Sequence, residues 1–463
     1  MQLEGWRESS SNRQTPQKRN HIVRASRRRF LRTAGAGSLT AGFAGCLDLT
    51  GSSRGREGDD SITLGVLAPD YRRDPLGFSI VHGAQLAVDY LNEQRDGILG
   101  REVTLAVEDT NASPLQGRRR YQKLIRDDDV DMTLGVVEST TINTIIEEIA
   151  THETVHITTG ATSGTIDDLL TNDYDRYKYH FRTMLNDMQL LRLQMAFIEE
   201  FFVGTLGWER IAVLAEGYRW TDGAVQPYQI ALGQVVGHQN VVLADRYPAE
   251  IDAEGFGEMY DEIAEKDADV LWALMAHTGD EAIVHWRQWL DQQEGSFGFG
   301  GLHVPMQWPG YWDLPGIGDV IEGGITLVSG TPEALVNDTS EAFYEAWAQR
   351  FDAQPIYTGN TTYDAVLLYA NAVETAGTID EQEVVPALRN AEVTGVNGEV
   401  GFYDEDDEFP NGISWGEGPR LPGAMFVQWQ RDDDGGGSQE VVWPEQHVTT
   451  DEVILPTGTT RSL

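Results

Sequence analysis

MTLGVVESTTINTIIEEIATHETVHITTGATS, residues 132–163, is the stretch that decides the fold. Met132 to Val137 is a short apolar and β-branched run, Ile142 to His152 has a helical pattern, and Val155 to Thr159 is a second β-branched run. A strand, a helix and a strand joined by a few residues form a crossover unit, which pairs its strands in parallel and turns right-handed. Each strand ends in a loop of small and hydroxyl residues, Glu138-Ser139-Thr140-Thr141 after the first and Gly160-Ala161-Thr162-Ser163 after the second.

The same alternation extends in both directions. Upstream lie a strand at Ile62 to Ala68, a helix at Ser79 to Gln94, a strand at Val103 to Val107 and a helix at Leu115 to Asp127. A second series follows Phe181-Arg182: helix Met188 to Phe202, strand Ile211 to Leu214, helix Gly223 to Val236, strand Val241 to Tyr247, helix Gly255 to Lys266, strand Val270 to Met275 and helix Glu281 to Gln293. At 463 residues the chain exceeds one ordinary core. The expected fold class is α/β, with two doubly wound Rossmann-like lobes. Residues 62–182 plus about 309–400 are assigned to lobe 1, and 183–308 plus about 401–455 to lobe 2. The strand near Gly324 to Val328 is expected to open the return to lobe 1, and a hairpin at Phe426 to Gln430 and Val441 to Trp443 closes the chain.

Formal net charge is -40, from 74 acidic and 34 basic residues. An acidic body cannot neutralise phosphates, so nucleic acid is not an expected partner. Lys18, Lys123, Lys178 and Lys266 are the lysines, and acids recur along every segment. That distribution is expected of a halophile, because at molar salt the Debye length falls to about 3 Å and self-repulsion is screened.

Basic residues gather instead at the start. Ser26-Arg27-Arg28-Arg29-Phe30-Leu31-Arg32 resembles a twin-arginine export motif, with Arg27 and Arg28 as its pair, and a weakly apolar run from Thr33 to Ala44 follows. Twelve residues are too few for a bilayer span of about 20. Phe43-Ala44-Gly45-Cys46 resembles a lipobox, with Phe43 in place of the usual leucine, so Cys46 is the expected lipidation site. Residues 1–46 then read as a lipoprotein signal and 47–61 as a flexible tether. Attachment to the outer face of the cytoplasmic membrane, through lipid only, is the expected location.

Five ordered stretches carry a more specific resemblance: Gly83-Ala84-Gln85-Leu86-Ala87-Val88, Gly97-Ile98-Leu99-Gly100-Arg101, Gly160-Ala161-Thr162-Ser163, Phe181-Arg182-Thr183 and Tyr363-Asp364-Ala365. In this order and spacing the chain resembles the type I periplasmic binding proteins of the leucine/isoleucine/valine-binding family. The resemblance implies two lobes joined by a three-strand hinge that close over a solute and present it to an ABC permease. An amino acid of branched-chain type or a small amide is the implied ligand, with urea or aromatic acids as alternatives. A sensory transducer could replace the permease as partner. In the opening loop, Leu76-Gly77 stands where many relatives carry an aromatic beside glycine, so the side-chain pocket is expected to differ.

Ligands of parallel α/β lobes sit beyond the carboxyl ends of the strands. By resemblance, Ser139, Ala161 and Thr162 match positions that bind the α-carboxylate and amino groups of an amino acid; ordinary helix capping would also place Ser and Thr there. Glu281 matches an ammonium-binding glutamate, although a first-turn acid is favoured by the helix dipole in any case. Tyr218 and Trp220 stand where an aromatic wall is common, and a core role suits them equally.

No catalytic, cofactor or metal role is expected. Gly412-Ile413-Ser414-Trp415-Gly416 has the letters of a nucleophile elbow, but Pro410-Asn411 before it and Gly418-Pro419 after it do not suit the strand and helix that an elbow needs. His277 and His285 are badly spaced for a metal. The chain has no Gly-rich phosphate loop.

Overall fold

The computed structural model describes residues 61–463 except 293–295, 415–423 and 433. Arg27, Arg28, Cys46 and most of the tether lie outside the described residues, as do Trp415 and Gly416. No described helix is long and apolar enough to cross a membrane.

The first lobe is built on β1 (Ile62–Ala68), α1 (Pro75–Gln94), β2 (Val103–Asp109), α2 (Pro114–Arg126), β3 (Met132–Gly135), α3 (Ser139–His152), β4 (His156–Thr158), α4 (Gly164–Asn172) and β5 (His180–Arg182). Its sheet has the order β2-β1-β3-β4-β5, parallel throughout. Helix starts follow local chemistry: Asp74 accepts the Leu76 and Gly77 N–H groups ahead of Pro75, and Ser113 accepts the Gln116 N–H ahead of Pro114.

The second lobe begins with α5 (Asp187–Phe197), which continues as wider π-helical turns over Ile198–Leu206 where one regular helix was expected. Then come β6 (Ile211–Glu216), α6 (Val225–Leu232), β7 (Val241–Tyr247), α7 (Ala253–Glu265), β8 (Val270–Met275), α8 (Gly279–Leu290), β9 (Gly298–His303) and β10 (Ile325–Ser329). The chain returns to the first lobe with α9 (Asp338–Arg350), α10 (Tyr357–Ala376) and α11 (Glu381–Arg389), then a ribbon of β11 (Val393–Gly395), β12 (Gly398–Phe402) and β13 (Ile413–Ser414). The hairpin β14 (Ala424–Arg431) and β15 (Gly437–Trp443) completes a seven-stranded second sheet of order β15-β14-β10-β9-β8-β6-β7.

The lobe boundaries therefore differ from the sequence reading. β10 pairs in parallel with β9 and antiparallel with β14, so it belongs to the second sheet and the return to lobe 1 falls after Ser329, not near residue 309. The ribbon pairs Arg182 with Gly412, so the first lobe keeps the chain to about Ser414, past residue 400. β9 escaped detection because GFGGLH has little β-branched character; Gly301 is held at φ +137°, and a Cβ there would lie 2.1 Å from the Ala273 carbonyl oxygen.

α10 is buried nearly all round and lies against α1. A Cβ on Gly83 would come within 2.4 Å of the Gly359 carbonyl oxygen, so glycine sets the helix separation. Gly83→Ala is expected to lower stability by about 1–3 kcal/mol in urea unfolding, although alanine is the better helix former. An unchanged midpoint would mean that the two helices separate freely.

Candidate functional site

Strand order locates the crevice in each lobe. In the first sheet the winding reverses between β1 and β3, and in the second between β6 and β8. Ligands of open α/β sheets bind at such switch points, outside the carboxyl ends of the strands. The relevant loops are those after β1 and β3 in one lobe and after β6 and β8 in the other.

In the first lobe the loop after β1 ends at Asp74, half-buried, whose Oδ1 takes the Leu76 N–H at 2.8 Å. The chain leaves β3 through a strained corner: Gly135 has φ +110° and Val136, a β-branched residue, has φ +69°. Such a conformation costs of order 1–3 kcal/mol and persists where the surroundings impose it. Here the Val136 N–H donates to the Leu67 carbonyl at 2.9 Å, and the Val136 carbonyl accepts from Ala161 at 3.1 Å. The corner delivers Glu138 as the N-cap of α3, with Ser139 at the first helical position. Glu138 accepts the Thr141 hydroxyl at 3.3 Å. Burial raises the carboxyls of both Asp74 and Glu138 above their ordinary values; the nearby N–H and hydroxyl donors and the charge of His277 oppose this without cancelling it.

The neighbouring loop after β4 carries the other expected contacts. Ala161 is buried, with its N–H spent on Val136. Thr162 is half-buried, and its hydroxyl donates to Asp187 Oδ1 at 2.5 Å, while Asp187 Oδ2 accepts the Gly164 N–H at 3.0 Å. Gly160 offers its carbonyl to the Tyr357 hydroxyl at 3.3 Å. Ser139, Ala161 and Thr162 thus share one end of the first sheet, but Ala161 and Thr162 hold the loop together through the groups that were expected to meet a ligand.

In the second lobe the organising residue is Glu216, at the last position of β6 and completely buried. Its Oε1 accepts from Trp220 Nε1 at 2.6 Å and His277 Nδ1 at 2.8 Å. Its Oε2 accepts from the His277 and Thr278 backbone N–H groups at 2.8 and 2.9 Å and from the Thr278 hydroxyl at 3.0 Å. The β6 and β8 loops are therefore tied to one carboxylate. With Nδ1 given to Glu216, the exposed His277 ring keeps Nε2 for solvent or a ligand. Tyr218 stacks on that ring at 4.0 Å and 7°, which makes it a wall of the loop and not a core residue. Glu281 is exposed on the first turn of α8, next to Asp280, which accepts the Tyr311 hydroxyl at 2.5 Å. His285 rests on Phe256, apart from the His277 cluster.

The two crevices face each other. His277 acts electrostatically on both Asp74 and Glu138, and Tyr357 responds to both acids. Tyr357 also lines a small cavity between the lobes, walled by Met184, Leu185, Leu302 and Leu327 and containing Gln307. Gln307 is 6% exposed, and its Oε1 has no hydrogen-bond partner among the described residues.

Sequence reasoning missed Asp74, Glu216, His277 as a site residue, Gln307 and Tyr357. Glu216 had one available signal, an acid placed two residues beyond an apolar strand end and followed by aromatics. Gln307 ends a short 3-10 turn after β9 and Tyr357 opens α10, and neither carries a local signal.

A family model described as periplasmic binding protein matches residues 61–417. No curated protein matches the chain. Among solved structures, a putative branched-chain amino acid ABC transporter from Silicibacter pomeroyi is 17% identical with a TM-score of 0.71, the match covering 84% of this chain and 98% of that one. An ABC transporter substrate-binding protein from Sphaerobacter thermophilus is 21% identical with a TM-score of 0.67, covering 83% and 97%. A solute binding protein of an ABC transporter from Rhodopseudomonas palustris BisB5, in complex with 3,4-dihydroxy benzoic acid, is 16% identical with a TM-score of 0.65, covering 84% and 98%.

Proposed function

The chain belongs to the periplasmic binding protein family, and on that premise we propose that it is the exported solute-binding component of an ABC importer. It captures an amino acid of branched-chain type, or a small amide, by closing its two lobes, and presents the closed form to a permease without chemical turnover. The observation that carries this reading is the pair of facing switch-point crevices, each lined by polar strand-tip residues. Ser139, Thr162 and Tyr218 remain ligand contacts in this proposal, with the Ala161 backbone shaping the loop and Glu281 at the rim. Export through Arg27 and Arg28 and lipidation at Cys46 would keep the receptor beside its permease at the membrane, in a salt-rich surrounding that suits a charge of -40.

Contacts from both lobes are complete only when the lobes close, so a bound solute shifts the open and closed populations. At one hundred times its Kd the solute should stabilise the protein by about 2.7 kcal/mol. A thermal-shift screen in high salt, followed by small-angle scattering on each hit, tests this. The expected result is a raised Tm together with a smaller radius of gyration. Hits that raise Tm without contraction would reject closure, and a screen of amino acids and amides with no hit would reject the function.

A further inference from the structure

Three stretches of the chain read Asn-X-Ser/Thr with no proline in the middle: Asn111-Ala112-Ser113, Asn337-Asp338-Thr339 and Asn360-Thr361-Thr362. The letters do not tell them apart, but the fold does. Asn360, in the first turns of α10, is 2% exposed, and its Nδ2 donates to the Ser329 carbonyl at 2.5 Å and the Tyr344 hydroxyl at 2.9 Å. Thr362 is fully buried, with its hydroxyl given to Thr159 Oγ1 at 2.8 Å. Asn337 is half-buried at the N-cap of α9, where its Oδ1 accepts the Ser340 N–H at 2.8 Å and its Nδ2 donates to the Gly395 carbonyl at 3.0 Å. The Thr339 hydroxyl donates to the Thr394 carbonyl at 3.1 Å. Both of these amide nitrogens are spent inside the protein. Asn111 and Ala112 are exposed, in the left-handed region at φ +50° and +48°, which asparagine tolerates. The Asn111 backbone N–H donates to Asp109 Oδ1 at 2.7 Å, while its side-chain amide has no hydrogen-bond partner among the described residues. Ser113 is half-buried and accepts the Gln116 N–H at 3.5 Å, a long bond.

We propose that Asn111 is an N-glycosylation site of the exported protein and that Asn337 and Asn360 stay unmodified. The proposal rests on export through Arg27 and Arg28 and not on the solute. A twin-arginine signal carries its chain across the membrane folded, so a sugar transferase on the outer side meets only what the folded surface offers. The donor is a lipid-linked sugar phosphate. Asn111 Nδ2 attacks its anomeric carbon, and the carbon–nitrogen bond forms as the carbon–oxygen bond to the phosphate breaks. The lipid phosphate leaves with that electron pair, and one amide proton passes to base. The transferase also needs the hydroxyl two residues on, and lending the Ser113 cap costs about 1 kcal/mol. The triplet lies in the connection from β2 to α2, and β2 is the edge strand, one strand outside the β1/β3 switch point. A glycan there flanks the crevice without filling it.

The test is peptide mapping by mass spectrometry on protein recovered from the surface of the cells that make it. The peptide with Asn111 should be heavier than its sequence by one or more sugar residues, and the peptides with Asn337 and Asn360 should have their sequence masses. Asn111→Gln and Ser113→Ala should each restore the sequence mass. Ser113→Thr, which keeps both the hydroxyl and a capping side chain, should retain the added mass. Should Ser113→Ala fold poorly, Asn111→Gln decides alone. Surface protein with an unmodified Asn111 would overturn the inference and leave export standing, and added mass that survives Asn111→Gln would also overturn it. So would added mass at Asn337 or Asn360, whose amides are open only before folding. Protein found solely inside the cells would reject export and the inference with it.

Discussion

Glu216→Ala should destabilise the folded protein by about 3–4 kcal/mol and release the His277 loop. The carboxylate is fully buried and accepts from five donors on three residues, Trp220, His277 and Thr278. Removing it leaves two backbone N–H groups and an indole N–H without their acceptor, each worth about 1–3 kcal/mol when buried. Water reaching the exposed His277 side offsets part of that sum. Burial alone would push the Glu216 carboxyl up, but the His277 ring, the Thr278 N–H and the Trp220 indole outweigh it and hold it at about 2. An acid with a depressed folded value contributes stability above its unfolded value of about 4.3, and that contribution is lost as pH falls through about 2. Wild-type protein should therefore lose roughly 2–3 kcal/mol from this group between pH 5 and pH 2, and the alanine variant should show a flatter acid limb. Urea unfolding at fixed high salt across that range reads both effects. A loss under 1 kcal/mol at neutral pH, with the acid limb unchanged, would show that Glu216 does not organise the site.

How much of this was legible in the sequence depends on which force placed each residue. β8 was read with its observed bounds, Val270–Met275, because a strand buried on both faces is a continuous apolar run. α10 begins at Tyr357 with no local signal for its start, because its first turns are polar in sequence yet buried against α1 and the lobe interface: Thr358, Asn360, Thr361 and Thr362 are all under 3% exposed. Their hydroxyls and the Asn360 amide N–H donate to groups distant in sequence, such as Thr361 to the Thr159 carbonyl at 2.6 Å and Thr362 to the Thr159 hydroxyl at 2.8 Å, and no local pattern encodes a partner two hundred residues away. The site divides in the same way. Loops after β3 and β4 were found because strand ends are local signals. Asp74 and Glu138 stand at helix N-cap positions, and their place beside the crevice follows only from the strand order that brings β1 beside β3.

Strand order also explains why the second large effect is expected at Asp167, a residue with no local mark of importance. Arg182, on β5, is 2% exposed, and its guanidinium bonds to Asp167 and donates to the Ser163 carbonyl at 3.0 Å, directly under the Thr162 loop. Its backbone N–H reaches the Asn411 carbonyl at 3.1 Å, where the ribbon joins the first sheet. Asp167→Ala leaves a buried guanidinium without its counter-charge, a change that costs about 3–5 kcal/mol. The intact pair is not worth that much in net terms, because Arg182 Nε and Asp167 Oδ2 have no partners among the described residues and both charges have been taken out of water. Replacing the pair by apolar groups of similar volume, Asp167→Leu with Arg182→Met, should therefore recover most of the loss and come within about 2 kcal/mol of wild type. Binding should not recover with it, since the double variant removes the donor that fixes Ser163 and with it the orientation of Thr162. Urea midpoints of the two single variants and the double, each paired with an L-leucine titration, separate these effects. A double variant as unstable as Asp167→Ala would mean that the ion pair is a net source of stability; one that is stable and binds at wild-type strength would mean that the Thr162 loop does not depend on Arg182.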